Sequence, residues 1–254
     1  MNPKSITAMA VAALFAIFSG KAEASNLKIG MRGPTETQLE ANAFYSKNEK
    51  GAEAQNYSLK FKYWDGKGEK FGKWGFVNIP YKWVETPAGS NYGLGDITIA
   101  AGPRGDFGDF HFHSHAGLTL PTGETKSDVP LGNGRYDASI NGLATYILSK
   151  NAAEIDASLS YTITGENNSG QNPPNVLSGG LLAGGEITDA IRLVGGVTGK
   201  HKDNGDYVIN ARGVGRLTIS KDWHAQVIGD WTAYSREIPK GESMGVQFRY
   251  NFEF

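Results

Sequence analysis

The chain has 254 residues, with 25 Lys and Arg against 26 Asp and Glu, five His and no Cys. This near-neutral balance gives no indication of a nucleic-acid partner, whose recognition favours a strongly basic surface. The length suits one all-β domain, and without cysteine a secreted domain must close by hydrogen bonding and packing alone.

Residues 1–24 have the pattern of a secretory signal peptide. Lys4 gives a basic start, an apolar stretch follows over residues 8–18, and Ala22-Glu23-Ala24 forms a small-x-small cleavage site before Ser25. The apolar stretch is too short for a helix that spans a bilayer, which disfavours the alternative of a helical anchor. After Ser25 no stretch approaches about 20 apolar residues, so the sequence predicts no spanning helix.

The rest of the chain alternates apolar and polar residues with a period of two, which predicts β-strands with one apolar and one polar face. About twelve such segments are separated by turn residues. In chain order, their apolar faces run through residues 39–45, 57–63, 77–83, 97–101, 110–120, 136–148, 153–163, 177–187, 191–197, 207–219, 223–233 and 244–254. The segment at 177–187 is rich in glycine and its phase is weak.

The connections distinguish a soluble sandwich from an outer-membrane barrel, whose periplasmic turns are short and whose outer loops are longer. The predicted outer loops are 47–55, 85–94, 121–135, 165–175, 200–206 and 236–241, and the short turns include 149–152, 188–190 and 220–222. Two early turns, 65–72 and 103–109, are longer than this pattern requires. Aromatic residues cluster at segment ends, as at a bilayer interface. The sequence therefore predicts a closed antiparallel transmembrane β-barrel over 37–254, preceded by a periplasmic leader at 25–36.

The last segment, MGVQFRYNFEF, has one wholly apolar face. Met244, Val246, Phe248, Tyr250, Phe252 and Phe254 make up that face. In a barrel they would contact lipid while the alternate residues face the lumen. Resemblance to other outer-membrane barrels implies that Tyr250, Phe252 and the terminal Phe254 are the signal read by the barrel-assembly machinery.

Three stretches carry a family resemblance: YGLGDITIAAGPRG (92–105), AGLTLPTGE (116–124) and LGNGRYDASINGLATYIL (131–148). They contain a Gly-x-Gly-Asp strand, a Leu-Pro-Thr-Gly loop start and a Gly-x-Gly-x-x-Asp strand. In this order they resemble the phenol-degradation outer-membrane family of the meta-pathway type, over about residues 37–254. The resemblance implies a barrel that passes small aromatic or other hydrophobic nutrients. Gly, Pro and Asp at strand ends are also ordinary turn residues, so an architectural role is the main alternative.

The predicted lumen is charged. Inward acids gather on the middle segments, at Asp96, Asp137, Glu154, Asp156 and Glu186, with Glu40, Asp230 and Glu253 elsewhere. Inward bases are Lys60, Lys62, Lys82, Arg192, Arg212, Arg216 and Arg249. One hypothesis is an acidic wall opposite a basic wall, whose field orients dipolar solutes. The alternative is a set of ion pairs that brace or plug the lumen.

His111, His113 and His115 share one face of a segment, with successive imidazoles about 7 Å apart. Plain polar lining is the favoured interpretation, ahead of a pH-responsive or solute-contacting wall and of a transition-metal site, which would need a further ligand. A hydrolase is disfavoured because His113 and Ser114 are adjacent and point to opposite faces. We therefore expect no catalytic residues, metal or cofactor.

The sequence predicts an outer-membrane channel or transporter for passive uptake of small, aromatic or hydrophobic, solutes. The alternative is a structural or adhesive barrel with a closed lumen. The partners that we expect are outer-membrane lipid, the barrel-assembly machinery and a small-molecule solute.

Overall fold

The computed structural model describes residues 37–65, 71–148, 153–166, 170, 172–220 and 222–252. The predicted signal peptide, the predicted leader and Phe254 lie outside these residues, as does the side chain of Phe252. The described chain forms thirteen strands: β1 (Thr37–Asn48), β2 (Glu53–Asp65), β3 (Phe71–Thr86), β4 (Gly89–Leu94), β5 (Ile97–Phe107), β6 (Phe110–Leu120), β7 (Asp137–Ile147), β8 (Glu154–Thr164), β9 (Val176–Thr188), β10 (Ile191–Lys202), β11 (Tyr207–Thr218), β12 (Trp223–Arg236) and β13 (Gly241–Phe252). None of the described residues forms a helix long and apolar enough to cross a membrane.

The strands make one closed antiparallel sheet. Neighbours in sequence pair from β5 to β13, and β1 pairs with both β13 and β2, which in turn pairs with β3. The β1–β13 register runs from Thr37 opposite Phe252 to Asn48 opposite Gly241 without a shift. Closure satisfies the backbone groups of both strands, as hydrocarbon requires. The predicted closed barrel is confirmed.

Two short strands share one place in the wall. β4 pairs with the end of β3, from Tyr81 opposite Leu94 onward, and β5 pairs with its beginning, up to Asn78 opposite Thr98. The circumference is therefore twelve strands, as predicted. The prediction that 85–94 is a connection throughout is wrong, because β3 extends to Thr86 and its backbone groups there pair with Gly89–Leu94.

The predicted turn at 103–109 is also wrong for most of its length. β5 continues to Phe107, with Arg104 opposite His113 and Asp106 opposite His111. These polar residues continue the inward face of the strand, so their polarity does not mark a turn. The turn itself is short because Gly108 adopts a φ of +63°, a left-handed conformation that glycine accepts without strain.

The two ends of the barrel differ. The connections 49–52, 87–88, 121–136, 203–206 and 237–240 lie at one end, here called the loop end, as do the described residues 165–166 and 172–175. Thr37 and Phe252 lie at the opposite end, here called the terminal end. The half of the lumen next to the loop end is called the loop half, and the half next to the terminal end is called the terminal half.

The outer surface is apolar. Large apolar side chains at the outward positions are exposed, for example Leu159 at 61% and Met244 at 58%. A belt of this kind is stable only against hydrocarbon, so this closed barrel is an outer-membrane protein.

Phe248 departs from the prediction that it faces lipid freely. It lies in register with the outward residues of β13 but is only 5% exposed. Its cross-strand neighbours are Ala41 and Ala225, whose small side chains leave room beside the ring. Tyr250, on the same face, packs on Trp223 with ring centroids 4.7 Å apart.

Candidate functional site

The lumen is the candidate site, and its polar lining forms because alternate residues of every strand point inward. Glu40 anchors one buried charge cluster in the terminal half. Its side chain is 1% exposed, pairs with Lys62, and accepts a hydrogen bond from Arg249 Nη2 at 3.0 Å. Lys60 Nζ lies 4.0 Å from Glu40 Oε1. β1 lies between β13 and β2, so one carboxylate joins three strands. Such pairing is necessary, because an unpaired buried charge is strongly destabilising.

A second buried charge cluster joins β8, β9 and β10. Arg192 pairs with Glu154, which is 1% exposed, and its Nη1 lies 3.7 Å from Glu186 Oε1. Nearby, Asp156 is fully buried and accepts a hydrogen bond from Thr145 Oγ1 at 2.5 Å. These acids and bases meet within a few strands of one another. This arrangement is the bracing alternative of the sequence analysis, and it leaves little separated charge for a field across the lumen.

An apolar cluster lies beside the second charge cluster. Leu182, Val194 and Val214 are buried together, with Ile228 packed against them. Val194 and Val214 lie two residues from the inward Arg192 and Arg212 on the same strands, and Leu182 is in register with this face, so these side chains point inward. The sequence analysis missed them because glycines on both sides, as in LLAGG and LVGGV, hide the alternation.

The three inward histidines have different surroundings. His111 contacts Asp106, whose carboxylate also accepts a hydrogen bond from Arg104 Nη2 at 2.8 Å. His113 and His115 pack edge-on against Trp74, with centroid distances of 5.1 and 4.9 Å. Within the described residues, no group of three or more His, Asp or Glu side chains is placed to hold a metal ion.

Trp74 holds His113 and His115 in place, and these two residues are here called the histidine wall. Its indole is 5% exposed, and Nε1 donates a hydrogen bond to the Ser114 carbonyl at 3.1 Å, which reaches from β3 across β5 to β6. Gly102 lies opposite Trp74 on β5, where a Cβ would come within 2.1 Å of that same carbonyl oxygen. The glycine is therefore required by the close approach of β5 and β6. Trp74 and Arg104 are functional candidates that the sequence analysis did not name.

The loop half of the lumen contains open space. One cavity of about 430 Å³ is lined by His113 and His115 on one side and by hydroxyl and amide groups of β7 to β11 on the other. A second cavity of about 310 Å³ opens among the loop-end residues. Asn210, Asp230 and Ser243 line both cavities, so the two are adjacent. Together the two cavities extend from the loop end to the histidine wall.

The three stretches that carry the family resemblance meet in space around Asp96. Asp96 Oδ1 accepts a hydrogen bond from the Gly123 amide at 3.0 Å, and Oδ2 accepts one from the Asn133 amide at 2.6 Å. Thr122 Oγ1 donates to the Gly95 carbonyl at 2.9 Å. Asp137 has a similar role, since its Oδ1 accepts from the Gly165 amide at 3.1 Å. These motifs thus anchor loops, which is the architectural alternative.

The loop from 121 to 136, here called the mouth loop, lies against the inward face of β3 and β4. Lys82 Nζ donates to the Leu131 carbonyl at 2.7 Å, and Asn91 Nδ2 donates to the Val129 carbonyl at 2.9 Å. Leu131 is 2% exposed, and its Cδ1 would lie 3.0 Å from a Cβ at Gly93. The mouth loop therefore occupies part of the lumen at the loop end.

The predicted lumen residues fall into three groups. Glu154, Asp156, Arg192, Arg216 and Arg249 lie in the terminal half, where described ion pairs and hydrogen bonds hold them. Arg212 lies in the loop half, where Nε and Nη2 form a bidentate pair with Asp230 at 2.7 and 2.9 Å. Asp96 and Asp137 hold loops.

The sequence matches a family described as "Putative MetA-pathway of phenol degradation" over residues 33–249. The chain belongs to this family. No curated protein matches the sequence.

Solved structures share the fold at low sequence identity. The COG4313 outer membrane channel from Pseudomonas putida F1 is 13% identical, with a TM-score of 0.79 over 89% of this chain and 100% of that one. The NanC porin is 10% identical, with a TM-score of 0.56 over 84% and 100% of the two chains. The KdgM porin in complex with disordered oligogalacturonate is 11% identical, with a TM-score of 0.53 over 85% and 99%.

Proposed function

We propose that this family member is a passive outer-membrane channel for the uptake of small solutes, with aromatic or hydrophobic compounds among them. The observation that carries the proposal is the pair of adjacent cavities that extends from the loop end to the histidine wall. A purely structural barrel needs no such space, because side chains fill the interior of small barrels. The similar folds of proteins named as channels and porins support the same proposal.

The solute class has two supports. The family description names phenol degradation, which fits a small aromatic compound. Leu143, opposite His113 on the inward face of β7, lines the larger cavity and offers an apolar side chain that a solute would contact. A cavity of about 430 Å³ lies within the size range of ordinary small-molecule sites.

Liposome swelling tests the channel function. We expect proteoliposomes to swell in arabinose, and we expect Ser178→Trp to slow the swelling because its indole would fill the larger cavity. Leu177→Trp is the matched control, since Leu177 is the adjacent residue, points outward and is 42% exposed. Absence of swelling in any small solute, or equal rates for the two variants, would overturn the proposal.

A structural or adhesive barrel is the second candidate, and the buried charge clusters of the terminal half favour it. Glu40, Glu154 and Asp156 are at most 1% exposed, as in a lumen braced shut at that level. This function predicts no swelling, together with binding of a partner by the loop-end connections. Removing residues 126–129 from the mouth loop would then reduce partner binding and leave swelling absent.

The barrel-assembly machinery is the partner proposed for Tyr250, Phe252 and Phe254. The supporting observation is the uninterrupted pairing of β13 with β1, the contact that closes the barrel. We expect deletion of Phe254 to reduce the amount of folded protein in the outer membrane, measured by its heat-modifiable migration on gels. Exchange of the outward Met244 for leucine should leave that amount unchanged.

A further inference from the structure

A row of hydrogen-bonding side chains crosses the wall of the larger cavity. The register places His115 opposite Asn141, Asn141 opposite Ser160, Ser160 opposite Ser178, and Ser178 opposite Lys200. These five residues, here called the polar row, lie on five consecutive strands, β6 to β10. Neighbouring strands are about 4.8 Å apart, so the polar row spans about 19 Å of wall.

The polar row runs from the loop end toward the middle of the lumen. Lys200 lies two residues from the loop end of β10, whereas His115 lies midway along β6. All five side chains line the larger cavity. A solute that moves down this wall would therefore meet a new hydrogen-bonding side chain at each strand.

The charge of the cavity is concentrated at Lys200. Among the described residues, Lys200 is exposed and makes no ion pair, whereas Lys202 on the same strand lies 3.3 Å from Asp206. The other charged groups of the cavity, Arg212 and Asp230, neutralise each other in a bidentate pair. The start of the polar row thus attracts an anion.

The imidazole of His115 forms the inner end of the polar row. His115 Nδ1 is buried and has no hydrogen-bond partner among the described residues. Trp74 and Phe76 pack edge-on against the His115 imidazole, with centroids 4.9 and 5.4 Å away, and they hold the ring in place. Nδ1 is closed to a solute, so His115 ends the polar row as a fixed wall, and the side chains available to a solute are those of Lys200, Ser178, Ser160 and Asn141.

We infer that the polar row is a binding site for small carboxylates that also carry a hydroxyl group. The carboxylate is attracted by the ammonium of Lys200, and the hydroxyl, one aromatic ring away, exchanges hydrogen bonds with Ser178 and Ser160, the next two members of the polar row. This inference rests on the proposed channel function, whose solutes it narrows. A hydroxylated aromatic acid carries both the carboxylate and the hydroxyl group that the polar row would bind.

Calorimetric titration of the detergent-solubilised protein at pH 7.5 tests the site with three probes. We expect 4-hydroxybenzoate to bind more tightly than benzoate, which lacks the hydroxyl, and than 4-hydroxybenzamide, which lacks the charge. Lys200→Met should weaken 4-hydroxybenzoate binding by about tenfold, since a charge-assisted hydrogen bond is lost. The double variant Ser160→Ala/Ser178→Ala should bind 4-hydroxybenzoate no better than benzoate.

Lys202→Met is the matched control, because it removes the same charge from the same strand without touching the polar row. We expect it to bind all three probes like the wild type. Equal affinity for the three probes, or equal loss in the two lysine variants, would overturn the inference. Because binding is measured without transport, a failed site and a failed channel are distinguished by arabinose swelling, which reports on the channel alone.

Discussion

The two halves of the lumen use inward polar residues in opposite ways. In the terminal half, Glu40 and Glu154 are 1% exposed and paired with cations from neighbouring strands. In the loop half, Ser160, Ser178 and Lys200 face open space, and the described ion pairs are partly exposed. The same period-two alternation therefore produces a dry charged layer at one end and a solvated cavity at the other.

The difference has a physical origin. A charged group removed from water needs several partners, so long cations and carboxylates converge and fill space. Hydroxyl groups are short and their hydrogen bonds to water are easily exchanged, so they leave room. The halves should consequently respond differently to mutation: stability should depend on the terminal half, and permeation and binding on the loop half.

The largest effect on stability should follow from Glu40→Gln. The change leaves Lys62, Lys60 and Arg249 close together without this carboxylate, and breaking a buried pair costs about 3–5 kcal/mol. Thermal unfolding in detergent, followed by heat-modifiable migration, should show a clearly lower transition temperature. The control is Glu53→Gln, whose exposed pair with Lys47 contributes about 1 kcal/mol or less. Similar decreases in the unfolding temperature of the two variants would contradict the argument that stability depends on the terminal half.

A sharper test uses two arginines on one face of β11. Arg216→Ala removes a side chain that donates to Gln226 in the terminal half, and we expect the free energy of unfolding to fall by about 1–3 kcal/mol. Arg212→Ala exposes Asp230 to the cavity, so it should shift selectivity toward cations with a stability loss of about 1 kcal/mol or less. Reversal potentials in planar bilayers and thermal unfolding measure the two effects. Unchanged selectivity in Arg212→Ala would remove this arginine from the solute path.

The mouth loop offers a test confined to the loop end. Asp96→Asn weakens the acceptors for the Gly123 and Asn133 amides, each bond to a charged group being worth about 1.5–3 kcal/mol. We expect the mouth loop to be cut faster by added protease while the barrel stays folded. Asp128→Asn, an exposed change in the same loop, should not alter the cleavage rate. An unchanged rate in Asp96→Asn would show that other contacts, such as Lys82 to Leu131, are sufficient.

Alternation predicted the barrel, its twelve-strand circumference and the direction of most side chains because hydrocarbon outside and a polar interior impose a period of two. It could not predict β4, since pairing with the end of β3 depends on how far β3 extends. Arg104 was missed for a related reason: a polar strand end and a turn have the same composition. For Phe248, the sequence indicated that the side chain lies on the outward face. It could not indicate that the ring is buried, because this depends on the small side chains of Ala41 and Ala225 on the neighbouring strands.

The candidate site was less accessible to sequence reasoning. The charges of the lumen were identified, but their pairing was not, because Arg192 meets Glu154 only through the order of the strands. The polar row follows from the register of five strands, and each of its serines alone resembles any inward polar residue. The role of Asp96 likewise required three distant motifs to be brought together.

The smallest effect should appear at the loop end, in the connection between β10 and β11. A hydrogen bond from Asn204 Nδ2 at 2.9 Å, with a smaller contribution from Lys202, lowers the pKa of Asp206 below its ordinary value. A lowered pKa stabilises the folded loop above the unfolded pKa, and this contribution is lost as the pH falls through the folded value. Asn204→Ala should raise the pKa of Asp206 toward normal, as measured by NMR titration of carboxyl-labelled aspartate. Asn175→Ala, in the neighbouring connection, should leave that pKa unchanged. If Asn204→Ala also lowered the unfolding temperature to the extent of Glu40→Gln, the two halves of the barrel would not differ as argued above.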